Sequence, residues 1–346
     1  MPRRIFRFVR RAAFVAFILV AVWATVAFLS FRSAVNERND ALPDDVRAAL
    51  APANGPAIAA SHVTMLVGSD TSGHRRSVGE KDGRADTLML MRVHVPSRTV
   101  SMLAIPRDLY VPIPDHGENR INTAYAEGGL ALSIRTVRNV TGVDVNHVVQ
   151  VDFDGFKKTI DALGGIEIDN PSIVESGTCD DCNFDGRHWR FRKGTQTLNG
   201  RDALAYARIR KVSEETVAAN ELEGSDLGRS RRQQRVIDAM VQEIVSKESL
   251  LHPRDVPRAV VQPLLTDISA AQMLTFGFGK WWSKPENSLR CRLGGDNDQR
   301  DIGGGQYGDV LIPDEENRAV VRMFLGKQAP VAPDSSLAAG CVRTGA

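Results

Sequence analysis

Two apolar runs separated by a short polar turn constrain the fold of this chain more than any other feature. They cover Thr87–Val95 and Val100–Ile105, and Val, Leu, Ile and Met dominate both. Runs of this length and composition are typical of buried β-strands. If the strands pair antiparallel across the turn, the start of the first and the end of the second lie at the same end of the sheet. The sequence therefore predicts a buried hairpin with one shared edge.

Charged residues flank the hairpin at that shared edge. Arg84 and Asp86 stand at the start of the first strand, and Arg107 and Asp108 follow the second. Arginine forks match phosphate oxygens, and carboxylates beside a phosphate suit a hard divalent cation. The pattern predicts a pyrophosphate site. Simpler interpretations stay open for each pair: a surface ion pair at Arg84 and Asp86, and a turn after Pro106.

The N-terminal segment predicts a membrane anchor. Ala12–Phe31 contains no charged residue and has about the length that crosses a hydrocarbon core. Five arginines precede it within residues 1–11, so the positive-inside rule predicts a cytoplasmic N-terminus and an extracytoplasmic remainder. A cleaved signal peptide and a buried core helix are the alternatives.

The remaining pattern predicts an α/β domain with a buried core. The chain has 346 residues, 42% hydrophobic, with a net charge of +2 that argues against a nucleic-acid footprint over the whole protein. His62–Val67 predicts a first strand that leads to Asp70, and Val145–Asp152 predicts another. Helices are predicted at Phe153–Leu163 and Leu227–Ser249. Nucleotide-binding, zinc-protease and serine-hydrolase motifs are absent from the sequence.

Several segments carry weaker predictions. Residues 32–61 are predicted to be a linker, Asn170–Thr197 an irregular loop, and Lys211–Gly224 an insertion of undefined order. A helix is predicted within Pro253–Leu265, and residues 327–346 are predicted to form a flexible tail. The predicted organisation is therefore a basic N-terminal tail at 1–11, an anchor at 12–31 and a linker at 32–61. A catalytic domain follows at 62–250, is completed by residues 251–326, and ends in the flexible C-terminal tail at 327–346.

The four cysteines fit an exported domain. Cys179 and Cys182 stand in a CxxC within a polar segment, and no second ligand pair with zinc spacing accompanies them. A local disulfide is the preferred interpretation there, and pairing of Cys291 with Cys341 is a second hypothesis.

An ordered set of motifs resembles the LytR-CpsA-Psr family of membrane-anchored phosphotransferases. The resemblance covers roughly residues 62–250, and the N-terminal anchor also fits. The motifs are GxD at 68–70, RADT at 84–87, AIPRD at 104–108, RINTAYAEGG at 120–129, VDFDGFKKTIDALGGIEI at 151–168, GxxxLxGxxAL at 194–204, RIR at 208–210 and SDLGRSRRQQ at 225–234.

The resemblance implies a three-layer α/β/α sandwich with a central mixed sheet and an apolar cavity for a polyprenyl chain. It implies a ligase that moves a glycopolymer, such as teichoic acid, from polyprenyl pyrophosphate to a hydroxyl of peptidoglycan, releasing polyprenyl phosphate. A pyrophosphatase that only hydrolyses the lipid and a non-catalytic lipid-binding regulator are the alternatives. The partners implied are the lipid-linked glycan, peptidoglycan and the membrane, with no nucleic acid.

The resemblance also assigns residues. Asp70 and Asp86 would handle Mg²⁺, or Mn²⁺, directly or through the pyrophosphate. Asp86, Arg84, Arg107 and Asp108 would form the catalytic centre, with Asp108 as a partner of the arginines. The predicted pyrophosphate-binding set is Arg84, Arg107, Arg120, Arg208, Arg210, Arg229, Gln233 and Gln234.

Overall fold

The structure is a computed structural model of the whole chain. It describes residues 2–69, 85–177, 187–209, 211–224, 226–244, 259–294, 299–301, 309–313, 315–330 and 340–343.

The strands form one large sheet and several small ones. Seven of them make the central sheet in the order β11-β6-β1-β2-β3-β12-β15. The strands of this sheet are β1 (Ser61–Ser69), β2 (Ala85–His94), β3 (Thr99–Ile105), β6 (His147–Asp152), β11 (Leu264–Thr266), β12 (Leu289–Arg292) and β15 (Gly340–Arg343). The smaller pairs are β4 (Tyr110–Ile113) with β5 (Gly117–Arg120), β7 (Ile166–Asn170) with β10 (Gly194–Leu198), β8 (Val174–Glu175) with β9 (Arg190–Phe191), and β13 (Gln299–Asp301) with β14 (Asp309–Leu311).

Helices flank the central sheet on both sides. In chain order they are α1 (Pro2–Asp40), α2 (Asp44–Ala49), α3 (Thr123–Thr141), α4 (Phe153–Ala162), α5 (Gly200–Arg208), α6 (Glu214–Ala219), α7 (Asp226–Ile244), α8 (Ala270–Trp282) and α9 (Glu315–Phe324).

The predicted hairpin is confirmed. Strands β2 and β3 pair antiparallel, with Leu88 opposite Ile105 and His94 opposite Thr99. β1 pairs antiparallel with β2 and parallel with β6, and β12 runs parallel to β3, so the sheet is mixed. The ends of β1, β3, β6 and β12 and the start of β2 consequently lie along one edge of the sheet, called here the site edge.

The two faces of the sheet carry separate apolar layers because alternate residues of a strand point to opposite faces. On one face Leu90 and Leu103 belong to the main core, which includes residues of α2, α3 and α9. On the other face Met89 and Met102 cluster with Ile237 of α7. The α/β/α sandwich with a mixed central sheet is therefore confirmed.

The N-terminal helix is longer than the predicted anchor. α1 continues to Asp40, and its apolar part qualifies by length and mean hydropathy as a candidate membrane span. Near its end Val35 is buried against Val261 and Ala270, and in the next segment Leu42 is buried in the main core. The linker predicted at 32–61 is thus corrected: its first part packs on the domain because its apolar residues have a surface to cover.

A smaller unit packs beside the sheet around α4, α5 and α7. β7 pairs antiparallel with β10, with Ile166 opposite Leu198, and Ile160 and Tyr206 are buried in the same cluster. The irregular loop predicted over Asn170–Thr197 is corrected, because this segment contains the β8–β9 pair and most of β10. Residues 178–186 lie outside the described ranges. The insertion at 211–224 is likewise ordered and contains α6.

Two predictions near the C-terminus are corrected. Leu264 and Leu265, placed at the end of a predicted helix, instead belong to strand β11, which pairs antiparallel with β6 on the side away from β1. The tail predicted to be flexible contributes β15, whose Cys341 is disulfide-bonded to Cys291 of the neighbouring β12. The ladder and the disulfide supply contacts that the local composition does not reveal. Cys179 and Cys182 lie outside the described residues.

Candidate functional site

The site edge collects the polar residues that follow the central strands. Ser69 ends β1, Asp152 ends β6 as its parallel neighbour, and Arg292 ends β12. Ligand sites in open α/β sheets form outside the carboxyl ends of the strands. The topology alone therefore makes this edge the candidate site.

A β-bulge interrupts the pairing of β1 with β2 at this edge. Gly68 pairs with Thr87 and Ser69 with Ala85, which leaves Asp86 as the extra residue. Bulges are common beside active sites, where they change the direction of a side chain. Asp70, Arg84 and the side chain of Asp86 lie outside the described residues. Ser69, which precedes Asp70, and Ala85, which follows Arg84, are opposite each other in the β1–β2 pair.

An ion-pair cluster follows β3. Asp108 Oδ2 lies 3.4 Å from Arg107 Nε, and Asp108 Oδ1 lies 3.2 Å from Arg120 Nη1. The side chains of Arg107 and Asp108 are each 19% exposed and that of Arg120 is 31% exposed, so solvent reaches all three. One carboxylate between two guanidinium groups leaves a net positive charge that attracts an anion. Asp108 accordingly contacts arginines, as its predicted supporting role requires.

Backbone hydrogen bonds fix the loop that carries this cluster. Ile121 N donates to Leu109 O at 2.8 Å, and Leu311 N donates to Asp108 O at 3.0 Å. Leu109 and Ile121 are also fully buried. The arginines consequently project from a rigid base, which lowers the entropy lost when an anion binds.

Arg208 reaches the same edge from a different element. It lies in the last turn of α5, and its guanidinium carbon is 4.3 Å from the centroid of the Phe153 ring. Phe153 directly follows Asp152 at the end of β6. A cation over an aromatic face is held in place while its N–H groups keep hydrogen-bonding capacity. Arg210 lies outside the described residues.

Helix α7 separates the residues of its motif. Arg229 is half-buried near the start of the helix. Gln233 Nε2 is 3.5 Å from Ala207 O, next to Arg208 in the chain, whereas the buried Gln234 donates to Cys291 O at 3.1 Å. Gln233 is therefore positioned near Arg208, while Gln234 joins α7 to the central sheet.

Arg232, in the same motif, belongs to the protein interior. It is fully buried, and it donates to Glu223 Oε2 at 2.7 Å and to the carbonyls of Glu223, Tyr206 and Ile209. Arg235 bonds the other Glu223 oxygen and the Tyr206 hydroxyl. Burial lowers the pKa of Arg232 and raises the pKa of Tyr206. This network fixes the end of α5 against α7 and so positions Arg208.

A second polar cluster at the edge was missed in the sequence. Gln150 of β6 donates to the Tyr125 hydroxyl, and its Nε2 lies 3.4 Å from Ser69 Oγ. Tyr125 stands before a kink in α3 where Gly129 adopts φ 59°, a left-handed conformation that favours glycine. The available signal was Gln150, a polar residue among the valines 148, 149 and 151 of the strand that ends at Asp152.

Metal binding is not tested by the described residues. Among them no group of three or more His, Cys, Asp or Glu side chains converges on one point. The two predicted ligands, Asp70 and Asp86, have side chains outside that part of the chain. A Mg²⁺ site at these aspartates therefore stays a prediction.

Comparison with known proteins identifies the family. The model of the LytR_cpsA_psr family matches residues 25–294. The polyisoprenyl-teichoic acid–peptidoglycan teichoic acid transferase TagU of Bacillus mycoides is 32% identical over 210 residues, which cover 60% of this chain and 61% of the relative. TagU of Bacillus licheniformis is 34% identical over 200 residues, covering 57% and 59%. The chain thus spans about three fifths of the length of these curated relatives.

Solved structures show the same fold. Lin1025 from Listeria innocua aligns with a TM-score of 0.56 at 27% identity, covering 77% of this chain and 98% of its own. TagT bound to LI-WTA aligns with a TM-score of 0.55 at 25% identity, covering 77% and 91%. The site edge, the ordered motifs and the match over residues 25–294 agree, and the chain belongs to the LytR-CpsA-Psr family.

Proposed function

We propose that this protein transfers a glycopolymer from a polyprenyl-pyrophosphate carrier to a hydroxyl of peptidoglycan. The observation that most supports this reaction is the rigid, solvent-accessible Arg107–Asp108–Arg120 cluster at the carboxyl ends of the central strands. The family membership and the printed activity of the TagU relatives support the choice of reaction.

The reaction is a phosphoryl transfer. A hydroxyl oxygen of the wall attacks the sugar-side phosphorus, the bond from that phosphorus to the bridging oxygen breaks, and polyprenyl phosphate leaves. The proton of the hydroxyl passes to a base at the site. Catalysis of this kind depends on positioning and on neutralising the equatorial and leaving oxygens. The pyrophosphate bond supplies the driving force, so no nucleotide is needed.

The arginines divide this task by position. Arg107 and Arg120, bridged by Asp108, would contact one phosphate, and Arg208 on the Phe153 ring would contact it from the end of β6 on the same edge. Arg84, Arg210, Arg229 and Gln233 would complete the pocket. Gln234 is assigned a structural role in this proposal because its amide is used on the Cys291 carbonyl.

A divalent cation is part of the proposal. Asp70 and Asp86 would hold Mg²⁺, which would neutralise pyrophosphate charge. The position of Asp86 at a bulge, opposite the β1 end that leads to Asp70, supports this assignment.

One face of the central sheet is a candidate binding surface for the lipid chain. The face of the sheet beneath α7 is lined by three methionines, a leucine and an alanine, and flexible thioether side chains adapt to irregular apolar ligands. The lining residues are Leu66, Met89, Met91, Met102 and Ala104. We propose that the polyprenyl chain binds along this face of the sheet. The candidate span in α1 would anchor the domain outside the membrane.

The test uses the full chain in detergent with a polyprenyl-pyrophosphate-linked oligosaccharide, Mg²⁺ and peptidoglycan fragments, with products identified by mass spectrometry. A phosphodiester-linked adduct together with polyprenyl phosphate is the expected result. If glycosyl phosphate were released without an adduct, the ligase activity would be wrong and the protein would be a pyrophosphatase. Intact lipid that copurifies without turnover would indicate a binding protein.

A further inference from the structure

Helix α8 exposes an apolar face that the catalytic proposal does not use. Leu274, Phe278 and Trp281 are 55%, 45% and 67% exposed. Their spacing of four and three residues places them on one side of the helix. Trp282 adds a further ring, 6.0 Å from Trp281 and 6.2 Å from Phe278 between centroids. A continuous aromatic surface of this kind marks an interaction site rather than scattered surface residues.

The aromatic surface is rigidly held. On the opposite side of α8, Phe276 is buried in an apolar cluster with Val93 and Val95 at the end of the β2–β3 hairpin. Gly279 lies so close to Val93 and Val95 that an added Cβ would be 3.0 Å from each side chain. The exposed rings therefore cannot turn inward without displacing the hairpin.

The direction of α8 relates this surface to the membrane anchor. Asn39, near the end of α1, donates to Ile268 O just before α8 begins. Earlier in α1, Phe31 packs in the same cluster as Met273, which is further along α8. The two helices consequently run in opposite directions, and α8 leads back toward the apolar span. Trp281 is eleven residues beyond Ala270, about 16 Å along the helix axis.

Basic groups border the aromatic surface. The guanidinium carbon of Arg98 is 4.2 Å from the centroid of the Trp282 ring, and Arg98 Nε donates to Trp282 O at 2.8 Å. Lys284, paired with Glu286, and Lys280, paired with Asp238, are close by in sequence. Tryptophan beside arginine or lysine is the composition that favours the headgroup level of a bilayer.

We propose that Phe278, Trp281 and Trp282 insert into the headgroup region of the bilayer that α1 crosses, as a second membrane contact of the domain. The inference rests on α1 spanning the membrane but not on the identity of the reaction. A bilayer is the favoured occupant because α8 points back along the anchor, which already brings a bilayer to this side of the domain.

A membrane contact at α8 would set the direction in which the site edge faces. Trp282 contacts Arg98 in the β2–β3 turn, and Arg107 follows the far end of β3. The seven residues of β3 separate the two ends of the sheet by roughly 23 Å. The site edge would thus face away from the bilayer, toward the wall, while the methionine-lined face extends along the distance between them.

Tryptophan fluorescence tests this inference directly, because the four tryptophans occupy three separate regions. The full chain is reconstituted into vesicles that contain lipids brominated at shallow or deep acyl positions. Trp23→Phe with Trp189→Phe leaves only the α8 pair as reporters. A variant that keeps only Trp23 reports on the anchor, and one that keeps only Trp189 is the matched control, since that ring packs beside Phe191 in the smaller unit.

We expect shallow bromines to quench the α8 pair about two-fold, as for interfacial tryptophan, while Trp189 is unaffected. Trp23 quenched by deep bromines together with an unquenched α8 pair would overturn the second contact and leave the anchor intact. A Trp23 that deep bromines do not quench would overturn both. If neither bromolipid nor a water-soluble quencher reached the α8 pair, the bilayer contact would be wrong, and the result would indicate that a second protein surface covers these rings.

Discussion

The molecule contains two groups in which two arginines share one carboxylate, and the groups differ in how far solvent reaches them. At the site edge Arg107 and Arg120 share Asp108, and in the interior Arg232 and Arg235 share Glu223. The edge arginines are 19% and 31% exposed, whereas Arg232 is 0% exposed and bonded to three backbone carbonyls. Solvent, and hence an anion, can therefore reach the edge arginines, whereas Arg232 is enclosed by the protein.

The largest effect is expected from breaking the interior group. Arg232→Ala leaves the Glu223 carboxylate, 1% exposed, without its closest partner, and we expect a loss of about 3 to 5 kcal/mol in the free energy of unfolding. Urea unfolding in detergent measures this change. Arg318→Ala is the control, because that side chain is 72% exposed and pairs with Glu315 one turn away. Equal stability of the two variants would contradict the structural role of Arg232.

The edge group should show the opposite pattern. Arg107→Ala removes a proposed phosphate contact at a partly exposed position, so we expect the transfer rate to fall by about 10²-fold or more with little change in the unfolding midpoint. The measurement pairs a product assay with the same unfolding experiment. Arg107→Lys should recover only part of the rate, because an ammonium group lacks the planar fork. Full activity in Arg107→Ala would remove the edge from the proposed mechanism.

Adjacent glutamines sharpen the contrast within one helix. Gln234→Ala removes a buried hydrogen bond to Cys291 O, and we expect a loss of about 1 to 2 kcal/mol in unfolding free energy with the turnover per folded molecule retained. Gln233→Ala should instead lower turnover and change the free energy by less than about 0.5 kcal/mol, because it is a partly exposed site-edge residue. Interchanged results would show that α7 is rotated relative to this structure.

A buried histidine at the opposite end of the sheet gives the smallest effect. Burial and the nearby His147 ring, whose other side bonds Asp267, lower the pKa of His62 from its ordinary 6.5. Below about pH 6.5 the unfolded chain therefore binds a proton that the folded chain does not, and the free energy of unfolding falls as the pH decreases. Urea midpoints near pH 7.5 and 5.5 measure it. His62→Gln should flatten this dependence, and an unchanged slope would assign it elsewhere.

Local patterns predicted the parts of the fold whose periodicity is strong. The apolar runs on either side of Pro96 predicted the β2–β3 hairpin and its shared edge, and charge placement predicted that Arg107 and Asp108 lie there. Strands β11 and β15 were missed because they are short and depend on partners distant in sequence. A three- or four-residue segment has too little periodicity to identify itself.

The sequence grouped the predicted site residues, and the structure separates some of them. The motif at 225–234 gave Arg229, Gln233 and Gln234 as one group, yet the structure directs Gln234 to the central sheet and Arg232 to Glu223. Successive helix residues are separated by about 100°, so one motif serves several surfaces. Tyr125 and Gln150 were not identified because their hydrogen bond joins segments 25 residues apart.

The sequence by itself determined the family, the central hairpin, the anchor candidate and the clustering of charge at strand ends, because these depend on local composition and on motif order. Only the tertiary structure decided which arginines are enclosed and that α8 runs back along α1 with its aromatic face exposed, and it confirmed the hypothesis that Cys341 pairs with Cys291. Burial, long-range pairing and helix direction arise from contacts between distant segments, and no local pattern contains them.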